Sequence, residues 1–127
     1  MRRAEDWLRQ AELDLSAARD AATSGHFEWT CFLAQQAGEK GVKAVHESIG
    51  TEAWGHSVAA LLSGLEGVPP GVVDAAKGLD KHYIPARYPN SHPEGAPGDL
   101  YTQRDASQAL ADAETVLEHV QSRISSS

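Results

Sequence analysis

The sequence predicts an all-α protein: an up-and-down antiparallel helical bundle of three long and two short helices, with a long proline-rich loop before the last helix. Three observations predict it. Apolar residues recur at alternating spacings of three and four along most of the chain, the spacing of a buried helix face. No segment alternates with the period of a strand. Finally, Pro85, Pro89, Pro93 and Pro97 fall at every fourth position after an otherwise helical pattern. Proline lacks the N–H that a helix ladder needs and biases the preceding residue to extended geometry, so residues 84–98 are expected to lie outside any helix.

The first helix is marked by Ala4, Leu8, Ala11, Leu15, Ala18 and Ala22, with Glu5 and Asp6 in the first turn, where the helix dipole favours anions. Thr23-Ser24-Gly25 should end it, Gly25 taking the left-handed conformation. A second helix is expected from about Phe27 to Ile49, stopped by Gly50. Its stripe is Phe27, Cys31, Ala34, Gly38, Gly41, Val45 and Ile49, with Phe32 and Val42 alongside. Two interior glycines each cost about 1 kcal/mol relative to alanine. A close approach by another backbone would explain that cost, and a helix-to-helix contact between two copies of the chain through Ala34, Gly38 and Gly41 is expected. Gln35, Gln36, Glu39, Lys40 and Lys43 should occupy the polar sides.

A turn containing Trp54, Gly55 and His56 leads to a short helix over about residues 57–65. Pro69-Pro70-Gly71 then breaks the chain, with Pro70 suited to a first helical position. Val72, Val73, Ala76 and Leu79 carry the next helix to about Tyr83. After the prolines, Thr102 and Asp105 resemble a capping box. The last helix shows Ala106, Ala109, Ala113, Val116, Val120 and Ile124, and should fray into Ser125-Ser126-Ser127.

The chain has 127 residues, which suits one domain, 1–127, able to bury its own core. With 41% hydrophobic residues and no long apolar run, no membrane association is expected. Acidic residues follow the N-terminal arginines at once, unlike a signal peptide. A single cysteine, Cys31, cannot form an internal disulfide, and cytoplasmic localisation is expected. Cys31 lies on the apolar stripe as a small hydrophobe.

A net charge of −7 disfavours a protein that coats long nucleic acid through its overall field. Between Asp80 and Glu94, however, the ionisable side chains are Lys81, His82, Tyr83, Arg87, Tyr88 and His92. That composition is too aromatic for a disordered linker and suits an ordered pocket for a nucleotide, a phosphodiester or a carboxylate. Tyr83, Ile84 and Tyr88 should anchor the loop and hold Arg87 against the helices. The histidines show no pair at the spacing that sets two metal ligands on one helix face, and Cys31 has no partner, so neither metal nor cofactor is expected. His46 and His119 read as polar helix positions, His56 as a capping or loop-bonding group.

Three segments in order, Trp29 to Val45 (WTCFLAQQAGEKGVKAV), Ala53 to Ser57 (AWGHS) and Leu79 to Pro89 (LDKHYIPARYP), resemble the HEPN family, the higher eukaryotes and prokaryotes nucleotide-binding domain. The resemblance implies a helical bundle that commonly forms homodimers. Many stand-alone prokaryotic members associate with a minimal nucleotidyltransferase, in a toxin–antitoxin-like context. Others are metal-independent RNases built around Arg-x4–6-His paired across a dimer, in which histidine helps deprotonate the 2′-hydroxyl and arginine stabilises the charged phosphate.

Arg87 and His92 match that string, but Tyr88 follows the arginine where RNase members have a polar residue. Pro89 and Pro93 also place the pair in a loop rather than at a helix start. The sequence therefore favours a dimeric module that binds a nucleotide or a nucleotidyltransferase partner. Arg87 would hold phosphate, Tyr83 and Tyr88 would stack, and Lys81 and His92 would assist. The alternatives are an endoribonuclease using Arg87 and His92, and an interaction protein whose loop is purely structural.

Overall fold

The computed structural model describes residues 3–126. Among them there are six α-helices and no strand: α1 (Ala4–Thr23), α2 (Phe27–Ile49), α3 (Val58–Leu62), α4 (Pro70–Asp80), α5 (Pro97–Leu100) and α6 (Gln103–Ser126), with a 3-10 turn at Pro89–Ser91. The expected three long and two short helices are present, and α5 is an additional single turn. Pro97 opens α5 at a first helical position, where its missing N–H would have no partner in any case. The expectation that all of 84–98 is non-helical is corrected at those two places, because a proline forbids helix behind it but not ahead of it.

α2 is the axis of the molecule and packs against every other helix. On α1, Ala4, Ala11, Leu15 and Ala18 are buried as the spacing requires. On α2, Cys31, Ala34, Val42 and Val45 are buried, while Ile49 has turned out into solvent. The glycines have a different neighbour from the one expected. A Cβ on Gly38 would lie 2.8 Å from Leu79 Cδ1 of α4, and one on Gly41 would collide with Leu117 of α6. The small-residue stripe receives bulky side chains of the same chain, so Ala34, Gly38 and Gly41 are not a face open to a second copy.

The turns behave as the sequence suggests. Gly25 and Gly50 take positive φ after α1 and α2. At the head of α6, Thr102 Oγ1 accepts from the Asp105 amide at 3.2 Å and the Asp105 carboxylate accepts from the Thr102 amide at 2.9 Å, a reciprocal capping box. α4 stops at Asp80 rather than near Tyr83, and the chain continues through turns. α6 continues in helix through Ser126, past the expected fraying at Ser125; Ser127 lies outside the described residues.

Two side chains at the ends of these helices fix the turn that leads to the site. Asp80 caps α3, accepting from the Val58 amide at 2.6 Å, the Ala59 amide at 3.1 Å and the Ser57 hydroxyl at 2.8 Å. His46 is buried rather than a surface polar group: Nε2 donates to the Leu61 carbonyl at 2.9 Å, and Thr51 Oγ1 lies 2.6 Å from Nδ1. Residues 51–57, which carry Trp54 and His56, are thus tied at both ends.

Candidate functional site

The loop after α4 is held to the bundle by a small residue. Ala86 is buried, whereas Ile84 and Tyr88 are about half exposed and Tyr83 is partly buried. Anchoring by Ile84 and Tyr88 is therefore corrected: both keep about half of their surface exposed, and the buried contact is made by Ala86. The loop also braces itself, with His92 Nε2 donating to the Pro85 carbonyl at 2.7 Å.

Arg87 lies against the helices as expected, in an aromatic cradle. Its Nε donates to the Tyr83 carbonyl at 2.9 Å. Its guanidinium carbon is 4.3 Å from the ring centre of Phe32, 4.7 Å from Tyr83 and 5.1 Å from Tyr88, each within cation–π range. Among the described residues no carboxylate pairs with it. The Nε bond and the rings fix the plane of the fork, and its two Nη groups can grip an oxyanion bidentately.

Behind this cradle lies a polar network that the sequence did not reveal. His56 stacks on Tyr83, with ring centres 4.5 Å apart and planes 16° from parallel. Its Nδ1 meets Glu39 Oε1 at 3.2 Å. Glu39 is only 4% exposed, and it also accepts from Lys43 Nζ at 3.0 Å and Gln35 Nε2 at 3.3 Å. Gln35, fully buried, donates to the His56 carbonyl at 2.8 Å and accepts from Gln36 at 2.8 Å.

Gln35 and Glu39, expected on the polar sides of α2, are interior. Their burial is tolerable because every buried side-chain polar atom among the described residues has a partner, and Lys43 compensates the Glu39 charge. The polar side chains of α2 thus position His56, which backs Tyr83, which backs Arg87.

The remaining site candidates point elsewhere. Lys81 is exposed at the end of α4, where its charge is felt by His82 and Asp112. His92 faces Tyr101 edge-on, with ring centres 6.2 Å apart. Arg87 and His92 therefore engage different partners within one chain: the rings beside α2 for the first, Pro85 and Tyr101 for the second.

Beneath the loop lie a buried thiol and two partly buried rings, Cys31, His82 and Tyr101. Burial pushes the Tyr101 hydroxyl up to about 12 and the Cys31 thiol likewise to about 12, and it lowers the His82 imidazole. Cys31 is thus an inert core group, as expected. Among the described residues, no helix is long and apolar enough to cross a membrane.

A family model described as "HEPN domain" matches residues 4–123. Among solved structures, TT1696 from Thermus thermophilus superimposes with a TM-score of 0.94 at 44% identity, covering 97% of this chain and 99% of that one. ST0689, described as an archaeal HEPN homologue, gives a TM-score of 0.85 at 44% identity, covering 98% and 99%. A HEPN domain protein of Thermotoga maritima gives 0.77 at 32% identity, covering 94% and 98%. The Methanocaldococcus jannaschii protein named "Putative toxin MJ1304" is 27% identical over 124 residues, covering 88% of this chain and 82% of that protein.

Proposed function

Because the chain belongs to the HEPN domain family, we propose that it is a dimeric phosphate-recognising module of toxin–antitoxin type, binding a nucleotide through Arg87 and working beside a minimal nucleotidyltransferase. The observation that carries this reading is Arg87 itself. An arginine without a carboxylate partner, oriented by one backbone carbonyl and three rings, is prepared for an anion rather than for a structural ion pair. The exposed ring of Tyr88 beside it suits a base. Trp29 and Leu100, each somewhat under half exposed, supply apolar surface for pairing of two copies, a role that Gly38 and Gly41 cannot fill.

Equilibrium binding of AMP and ATP to the intact protein tests the reading. Arg87→Ala should weaken binding by roughly tenfold or more, the loss of a charge-assisted contact worth about 1.5–3 kcal/mol. His92→Ala should change it little, because His92 bonds Pro85. Unchanged affinity in Arg87→Ala overturns the proposal. Metal-independent RNA cleavage that disappears in His92→Ala would replace it with a ribonuclease.

A further inference from the structure

Beside His56 the turn between α2 and α3 encloses a second concavity, a cleft of about 860 Å³. We propose that this cleft is a docking site for a basic, extended segment of a partner polypeptide, one arginine or lysine of which lies on Trp54. The proposal is independent of nucleotide binding at Arg87.

Several features favour a cation on a flexible chain. Trp54 lines the cleft and is 81% exposed, so its ring face is available. Its indole N–H is tied to Glu52 Oε2 at 3.0 Å, which holds a carboxylate at the ring edge. A guanidinium on that face would meet the π-system and the carboxylate together.

The charge balance of the lining is also negative. Lys43, the cation there, is engaged by Glu39, while Glu47 and Glu52 face solvent; His46 and His56, the other titratable groups, bond Leu61 and Glu39. The C-terminus of α2, a helix of 23 residues, ends in the cleft wall and adds the negative end of its dipole. Lys43 Nζ, 5.7 Å from the centre of the Trp7 ring, already shows an ammonium resting on a tryptophan of this same cleft.

A phosphate-bearing ligand would face these carboxylates and the helix dipole with the wrong sign. The cleft exceeds the volume of one side chain, and so suits several residues of an extended segment. An acidic protein, at −7 overall, further draws a basic partner.

The test uses a fluorescent hexapeptide of alternating arginine and glycine, and its counterpart with citrulline in place of arginine, which keeps the shape and removes the charge. The arginine peptide should bind the intact protein at least about tenfold more tightly than the citrulline peptide. Trp54→Ala and the pair Glu47→Gln with Glu52→Gln should each weaken it by about tenfold, with circular dichroism unchanged because these side chains are exposed. The pair Glu114→Gln with Glu118→Gln, exposed in the groove between α1 and α6 where Glu114 pairs with Arg19, removes the same charge elsewhere and should have little effect.

Equal affinity for both peptides overturns the proposal. So does undiminished binding to Trp54→Ala, or equal loss in the α6 pair, which would mean diffuse attraction to an acidic surface. Trp54-dependent binding of AMP in place of the peptide would overturn it in favour of a base-stacking site. Arg87→Ala should leave peptide affinity intact.

Discussion

At the scale of single residues, the site depends on a buried carboxylate more than on any exposed group. Glu39 holds Lys43, Gln35 and His56 together. Glu39→Ala should lower unfolding free energy in urea by about 3 kcal/mol, since it strands a largely buried ammonium. Glu39→Gln should lower it less, because the amide can still accept. The sequence marks Gln35, Glu39 and Lys43 as polar positions of α2 but not the partner that draws them inward. Polar side chains at i and i+4 read as a solvated face, and the partner that pulls Glu39 inward, His56, arrives 17 positions later. Arg87, Tyr83 and Tyr88 could be found because the prolines exclude a long helix and leave aromatic and cationic residues needing another explanation.

Two partly buried imidazoles, His82 under the loop and His119 far along α6, give a pH dependence with a definite sign. Burial lowers the His82 and His119 imidazoles below their ordinary value. Below about pH 6.5 the unfolded chain therefore binds protons that the folded chain refuses. Stability should be full above that pH and fall as the solution is acidified through the folded values. His82→Gln should flatten part of this decline in melting temperature between about pH 7 and 5. An unchanged profile would show that His82 is hydrated rather than buried.

Among the elements, α2 decides the architecture, and its glycines are the sharpest check on how it packs. Gly41→Ala should destabilise by about 1–3 kcal/mol and lower the melting temperature, because Leu117 must move to admit the methyl group. Gly71→Ala, on the open face of α4, should stabilise by about 0.4–1 kcal/mol, because nothing lies within 4 Å of the new carbon and the unfolded chain loses freedom. The long helices were readable because each carries its own start, stripe and stop: Glu5 and Asp6 with Gly25, Gly50 after α2, Thr102 with Asp105. α5 was missed because a single turn has no period to detect, although Pro97 carries the signature of a first helical position. The partners of Gly38 and Gly41 were missed because a small-residue stripe says that something approaches closely but not from which chain.

In the whole molecule, a buried polar network backs the half-exposed aromatic residues around Arg87. Tyr88 and Trp29, the latter packed edge-on against Phe32, stand near half exposure beside the Arg87 cradle, and Leu100 of α5 is similarly exposed. Light scattering should give twice the monomer mass at micromolar concentration, and Trp29→Asp should return it towards the monomer. A monomer in the unaltered protein would leave the Arg87 site standing and remove the pairing. The central claim is that the Arg87 guanidinium grips phosphate. The most direct measurement follows the arginine Nε–Hε resonances of the intact protein while AMP, and separately adenosine, is added. The account predicts that the Arg87 signal moves with saturation on AMP and much less on adenosine, while the signals of Arg9, Arg19 and Arg123 stay still. An Arg87 signal that is unmoved by AMP, or that moves equally with adenosine, would contradict it.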